Sequence, residues 1–221
     1  MNDRRPARFP WNYDRSEMVA DGVIHVIGIC FGLIGAVTLI VVGSRATKIV
    51  AIESVFVYAV GLLAMLGFSA AYNLWPVSET KWILRRFDHS AIYVLIAGTY
   101  TPFMAQLKIS LTSDLLTGVW VTAGLGVMLK LVLPGRFDRV AVALYLLLGW
   151  SGVIFCGSVF ASLPSLTIWL LAAGGTLYSV GVIFHLWESL RFQNAIWHAF
   201  VLLAAGCHYT AVLDYAVLGR A

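Results

Sequence analysis

Three pairs of polar residues, each four apart, interrupt otherwise apolar stretches: Asp21 with His25, Ser69 with Asn73, and Asn194 with His198. A single Asp88 stands at the head of a fourth stretch. Carboxylate and imidazole side chains support acid–base chemistry and the pairing of polar ligands. An Asp at the centre of a membrane helix costs about 2.5–3.5 kcal/mol on the insertion scale, so its default reading is functional. Residues four apart share one helix face, and four residues rise about 6 Å. Ser69 and Asn73 fall near the end of the second apolar stretch. Asp88 falls at the mouth of the third, and Asn194 and His198 in the first turns of the last. Three segments distant in sequence thus offer polar faces at one depth.

Each residue also has a plainer reading. Asp88 at a helix start can act as an N-cap, favoured by the helix dipole. Ser69 can bond the carbonyl one turn back. Asn73 and Asn194 can be interfacial residues or interhelical hydrogen-bond partners. His198, one turn inside its helix, can be a packed, hydrogen-bonded imidazole. Asp21 and His25 can pair with each other. His89 follows Asp88 directly and points about 100° away from it. His185 and Glu188 read as boundary residues, and His208, deeper toward the far side, has no assigned role.

The elements that must position these groups follow from composition. The 221 residues are 60% hydrophobic and 12% charged, with a mean hydropathy of +0.86. A soluble domain of this length carries about twice that charge. A membrane span needs about 20 apolar residues. Spans are read at 18–43, 51–75, 89–107, 114–133, 138–160, 165–187 and 195–218. They predict an all-α, polytopic membrane protein, a seven-transmembrane-helix bundle. Residues 1–17 form a basic tail and 18–218 the membrane domain. The first stretch is too long for a signal peptide and is read as retained. The runs are continuous and too long for barrel strands. Gly28 and Gly32 form a small-residue spacing on helix 1 that allows close packing. Gly98 and Pro102 predict a bend in helix 3.

Charge sets the orientation. Arg4, Arg5, Arg8, Arg15, Lys81, Arg85, Arg86, Lys130, Arg136, Arg139 and Arg191 fall on one side of the spans; Arg45, Lys48, Lys108 and Arg220 fall on the other. The excess predicts a cytoplasmic N-terminus and an outside C-terminus. The formal net charge of +4 therefore reflects topology and contact with anionic lipid, not a nucleic-acid patch. Trp11, Trp75, Trp82, Trp187 and Trp197 fall at the same cytoplasmic boundaries, where indole rings favour the headgroup region. Cys30, Cys156 and Cys207 all lie within spans and give no disulfide framework.

Four blocks carry a family resemblance: EMVADGVIHVIG from Glu17, SAAYN from Ser69, LRRFDHSAIYVLIAGTYTPF from Leu84, and NAIWHAFVLLAAGCHY from Asn194. With them the chain resembles the bacterial hemolysin III family, within the progestin and adiponectin receptor superfamily, over nearly its whole length. The resemblance implies zinc near the cytoplasmic face. It expects Ser-x-x-x-His on helix 2, Asp at the start of helix 3 and His-x-x-x-His on helix 7. Ser69, Asp88 and His198 match, with Ser69 and Asp88 at the positions tied to a water or to hydrolysis. Asn73 and Asn194 stand at two of the three expected ligand positions. On helix 1 the family usually has Asn where this chain has Asp21, and His25 is kept. Zinc favours imidazole and thiolate, and an amide oxygen is a weak ligand for it. The resemblance therefore implies zinc, and the residues imply weak binding or none.

Three functions follow. The first is an integral protein of the bacterial inner membrane, multi-pass, sensing or modifying membrane lipid through a cytoplasm-facing polar cavity. The second is a zinc-dependent hydrolase of lipid amides or esters, ceramidase-like, a reading weakened by the loss of two histidines. The third is a pore or channel, against which stands the lack of a continuous polar stripe. Membrane lipid is the expected partner; no nucleic-acid partner is expected, and no soluble protein partner is identifiable.

Overall fold

The computed structural model describes residues 14–45, 49–107, 111–133, 135–155, 157 and 162–219. Arg4, Arg5, Arg8, Trp11, Lys48, Lys108, Cys156 and Arg220, named above from the sequence, lie outside the described residues. Seven helices occupy the described chain: α1 (Arg15–Gly43), α2 (Ile49–Leu74), α3 (Glu79–Met104), α4 (Leu111–Val132), α5 (Asp138–Phe155), α6 (Ser165–Leu186) and α7 (Gln193–Val212). A π-helical turn, Leu213–Val217, extends α7. No strand occurs among the described residues. Five helical segments, Arg15–Gly43, Ile52–Leu74, Leu111–Val132, Ser165–Leu186 and Gln193–Val217, are long and apolar enough to cross a membrane. Outward faces are apolar as well: Trp169 is 74% exposed and Leu125 68%. Water would not tolerate such faces, and hydrocarbon requires them. The protein is a polytopic helical membrane protein.

The central helix is α3, which contacts α2, α4, α5 and α7. It differs from the sequence expectation by starting at Glu79, ten residues before 89. Ser78 caps it, accepting from the Lys81 amide. Its first turns carry Lys81 and Arg85, both buried. The Lys81 ammonium donates to the Asn73 and Trp75 carbonyls at 3.1 and 2.9 Å, closing the end of α2. The Arg85 guanidinium donates to Asp138 of α5 at 2.7 Å. Charges with partners of this kind can extend a helix through a segment whose hydropathy is low. The helix continues through Pro102.

Close backbone approach does the rest, as expected where lipid offers no hydrophobic drive for helix association. A Cβ on Gly32 would strike the Leu66 side chain of α2, and one on Gly28 would lie 3.3 Å from the same leucine. The G-x-x-x-G of α1 is thus a packing seam against α2. A Cβ on Gly126 of α4 would enter the fully buried Tyr93 ring of α3. The Tyr100 hydroxyl reaches α5, accepting from the Gly152 amide at 2.8 Å and lying 3.0 Å from the Gly149 carbonyl. The Trp150 indole donates to Ser179 of α6 at 3.1 Å.

Candidate functional site

The first turn of α1 positions the site. Asp14 and Glu17 form a capping box: the Asp14 carboxylate accepts from the Glu17 amide at 2.8 Å, and Glu17 accepts from the Asp14 amide at 2.9 Å. Asp14 lies before the span, and its hydrogen bonds from Ser16 and from the Glu17 backbone hold its carboxyl below the usual range. The other Glu17 oxygen accepts from the Phe192 amide at 2.8 Å. Phe192 sits at φ 60°, a left-handed conformation that costs a side-chain-bearing residue about 1–2 kcal/mol. The bond from Glu17 holds that turn, from which α7 starts. Arg191 adds a 3.3 Å contact to Asp14.

Glu17, Asp21 and His25 follow one another at four-residue steps, so the face of α1 that ties down Phe192 also presents Asp21 to α7. There Asp21 Oδ1 meets His198 Nδ1 at 2.6 Å. Its other oxygen, Oδ2, stands 3.5 Å from His25 Nε2. The His25 and His198 rings lie with centroids 4.5 Å apart, tilted by 51°. On the far side of His198, the Asn73 Nδ2 stands 3.5 Å from Nε2 and donates to the Ser69 carbonyl at 2.9 Å. A carbonyl partner requires the amide to present its NH₂. His198 is therefore the Nδ1–H tautomer, donating to Asp21 and offering the Nε2 lone pair to Asn73. Ser69 and Asp88 line the same cavity as His198 and Asn73.

The five residues singled out on helices 2, 3 and 7 line one cavity of about 1310 Å³, and Asp21 joins them there. Two assignments change. Asp88 is the tenth residue of α3, not its cap; Ser78 holds that place. Asp21 pairs with His25 at 3.5 Å, as the spacing allowed, and makes a second, shorter contact with His198. His89, expected to face away from Asp88, stands 4.0 Å from both Asp88 and Asp138. His185 also lines the cavity, with its ring 5.0 Å from Trp197. His208 reaches the Leu171 carbonyl at 3.3 Å, and a Cβ on Gly174 would strike its ring. Sequence reasoning missed the cluster of Asp138 with Arg85 and Lys130, each 2.7 Å from a carboxylate oxygen.

The zinc implied by the resemblance meets a poor donor set at Asn73, Asn194 and His198. Asn73 turns N–H groups, which carry no lone pair, toward the imidazole it would have to join in ligation. Metal-ligating atoms gather instead at Asp21, His25 and His198, all within 4.8 Å of one another.

The sequence profile of the family described as "Haemolysin-III related" matches residues 14–209. A "Hemolysin-3 homolog" of Bacillus subtilis (strain 168) is 38% identical over 202 residues, covering 91% of this chain and 95% of that protein. "Hemolysin-3" of Bacillus cereus is 35% identical over 202 residues, covering 91% and 92%. More distantly, the "Monocyte to macrophage differentiation factor" of Homo sapiens is 26% identical over 223 residues, covering 97% and 91%. The match runs from the capping box of α1 to the tyrosine that closes α7 on α1, and the chain belongs to the haemolysin-III-related family.

Proposed function

We propose that this protein is a multi-pass resident of the bacterial inner membrane that senses or modifies a membrane lipid held in its central cavity. One observation carries the reading: the cavity is polar at the end built from Asp21, Ser69, Asn73, Asp88, Asn194 and His198, and largely apolar elsewhere, along Leu95, Ile96, Phe103, Met104, Val153 and Leu171. Ordinary small-molecule pockets hold roughly 300–1,000 Å³, and this one is larger, as a chain-bearing amphiphile needs. The polar end takes the headgroup, and the apolar part takes the chain. The basic residues at that end of the bundle support a cytoplasmic orientation for it. Zinc at Asn73, Asn194 and His198 is weak or absent on this reading.

A second reading, hydrolysis of a lipid amide or ester, rests on Ser69 and Asp88 lining the polar end of the cavity together. Asp88 would hold or accept a proton there, and Ser69 would orient the group attacked.

Native mass spectrometry of the purified protein tests the cavity. The expected result is a retained amphiphile at one per chain. Filling the apolar part with Ile96→Trp or Leu171→Trp lowers its retention at least tenfold, about 1.4 kcal/mol. A protein that releases all lipid on mild delipidation, or whose retention ignores both substitutions, defeats the reading. Phospholipid or fatty-amide turnover lost in Asp88→Asn, with the lipid still bound, selects modification over sensing.

A further inference from the structure

We propose that Asp21, His25 and His198 form a divalent-metal site of the zinc class, set between α1 and α7 rather than between α2 and α7. The site stands on its own geometry and does not depend on the lipid reading. All three side chains are buried: His25 is 5% exposed, Asp21 8% and His198 11%. Two donors bound to a tetrahedral zinc at 2.0–2.1 Å stand about 3.3 Å apart. Asp21 Oδ2 and His25 Nε2, 3.5 Å apart, already have that separation. The three donor atoms as a set lie within 4.8 Å of one another, so small side-chain rotations bring them to one centre.

A second observation points to a ligand. His25 Nε2 is buried and makes no hydrogen bond, although it looks toward a carboxylate. Buried polar atoms are nearly always satisfied, and one that is not requires an explanation. If Nε2 carried a proton, the Asp21 oxygen beside it would be a ready acceptor, yet the alignment fails. If Nε2 carries a lone pair, two electron-rich atoms face each other. A cation between them removes both conflicts and neutralises the Asp21 carboxylate in apolar surroundings.

The donor set chooses the metal. Two imidazoles and one carboxylate suit zinc and its neighbours, whereas calcium and magnesium take oxygen ligands. Zinc takes the place of the proton between His198 Nδ1 and Asp21 Oδ1; the ring's proton moves to Nε2, and the Asn73 amide turns its oxygen to accept it. Asp21 and His198 line the cavity and His25 does not. The remaining coordination position therefore opens toward the cavity, beside Asn73.

The full chain, purified in detergent and stripped with a chelator, is re-equilibrated with zinc chloride. Its zinc is counted by plasma mass spectrometry, and its ligands are read by X-ray absorption at the zinc edge. One zinc per chain is expected, with two imidazoles and the remaining ligands oxygen. Asp21→Asn and His25→Gln each weaken binding by more than the roughly 10- to 100-fold that loss of a supporting partner costs. His89→Gln and His185→Gln leave it unchanged. Absence of bound zinc in the unsubstituted protein overturns the site. So does equal retention by Asp21→Asn, or a spectrum with a single imidazole. The spectrum is read on the unsubstituted chain, so a variant that fails to fold leaves the test intact. Zinc without retained lipid upholds this site and defeats the lipid reading; lipid without zinc does the reverse.

Discussion

The contact of Asp21 with His198 joins residues 177 positions apart at 2.6 Å, and its worth can be measured. Hydrogen bonds to charged groups contribute about 1.5–3 kcal/mol, although pairs in membrane proteins average nearer 0.6 kcal/mol because the unfolded chain also finds partners. The carboxylate is buried and its acceptor geometry is short, which favours the upper range. With metal removed by a chelator, Asp21→Asn and His198→Ala are each expected to destabilise the protein, with a coupling of about 1–2 kcal/mol in a double-mutant cycle read by denaturant unfolding in detergent. Additive losses would show that the two residues act separately. Half of this arrangement was legible in the sequence. The four-residue steps from Glu17 to Asp21 to His25, and from Asn194 to His198, define faces before any coordinates exist. The facing of α1 to α7 was not legible, because it depends on the Glu17–Phe192 bond and on a left-handed turn at a phenylalanine, a residue that seldom adopts one.

Helices α2, α4 and α6 begin and end within a few residues of the hydropathy reading, because their charges lie at or beyond their ends. Helix α3 does not follow that reading. Its first three turns hold Lys81, Arg85, Arg86 and Asp88, which depress hydropathy without breaking the helix. The helix persists because its buried charges are partnered across elements, and Asp138 is the key partner. It sits at the head of α5 and takes Arg85 from α3 and Lys130 from α4, each at 2.7 Å. Lys130 is only 2% exposed. Removing the shared anion strands two cations in a poorly solvated junction, whereas removing one cation leaves the remaining pair intact. Breaking a buried pair by deleting one member costs about 3–5 kcal/mol, and an apolar replacement of matching volume can cost far less. Asp138→Ala is therefore expected to lower thermal stability well beyond Lys130→Met, read as melting temperature in detergent. Equal losses would mean that the three-helix junction is held by packing alone. No sequence rule would have found this cluster, since its three members come from three helices and only their fold makes them neighbours.

At the scale of the whole molecule, the cavity and the charge distribution point the same way. The helix ends that meet at residues 14, 75–78, 133–138 and 187–192 share one end of the bundle, and there lie Arg15, Lys81, Arg85, Arg86, Lys130, Arg136, Arg139 and Arg191. Among the described residues, the opposite end offers Arg45. Short basic loops resist transfer across a membrane, so this asymmetry predicts that the basic end stays in the cytoplasm. The seven crossings expected from the sequence would then put the two termini on opposite sides. The polar end of the cavity, built from Asp21, Asp88 and His198, lies at the basic end of the bundle, whose arginines and lysines attract anionic lipid. Under the proposed function, orientation decides which leaflet would supply the lipid and which compartment would supply protons and metal. Alkaline phosphatase, active only after export, is expected to be active when fused after Gly219 and silent when inserted at Ser189. A fluorescent protein that matures in the cytoplasm is expected to light up when placed before Asp14. The opposite pattern would turn the cavity toward the outer leaflet, and the lipid reading would then have to draw its ligand from there.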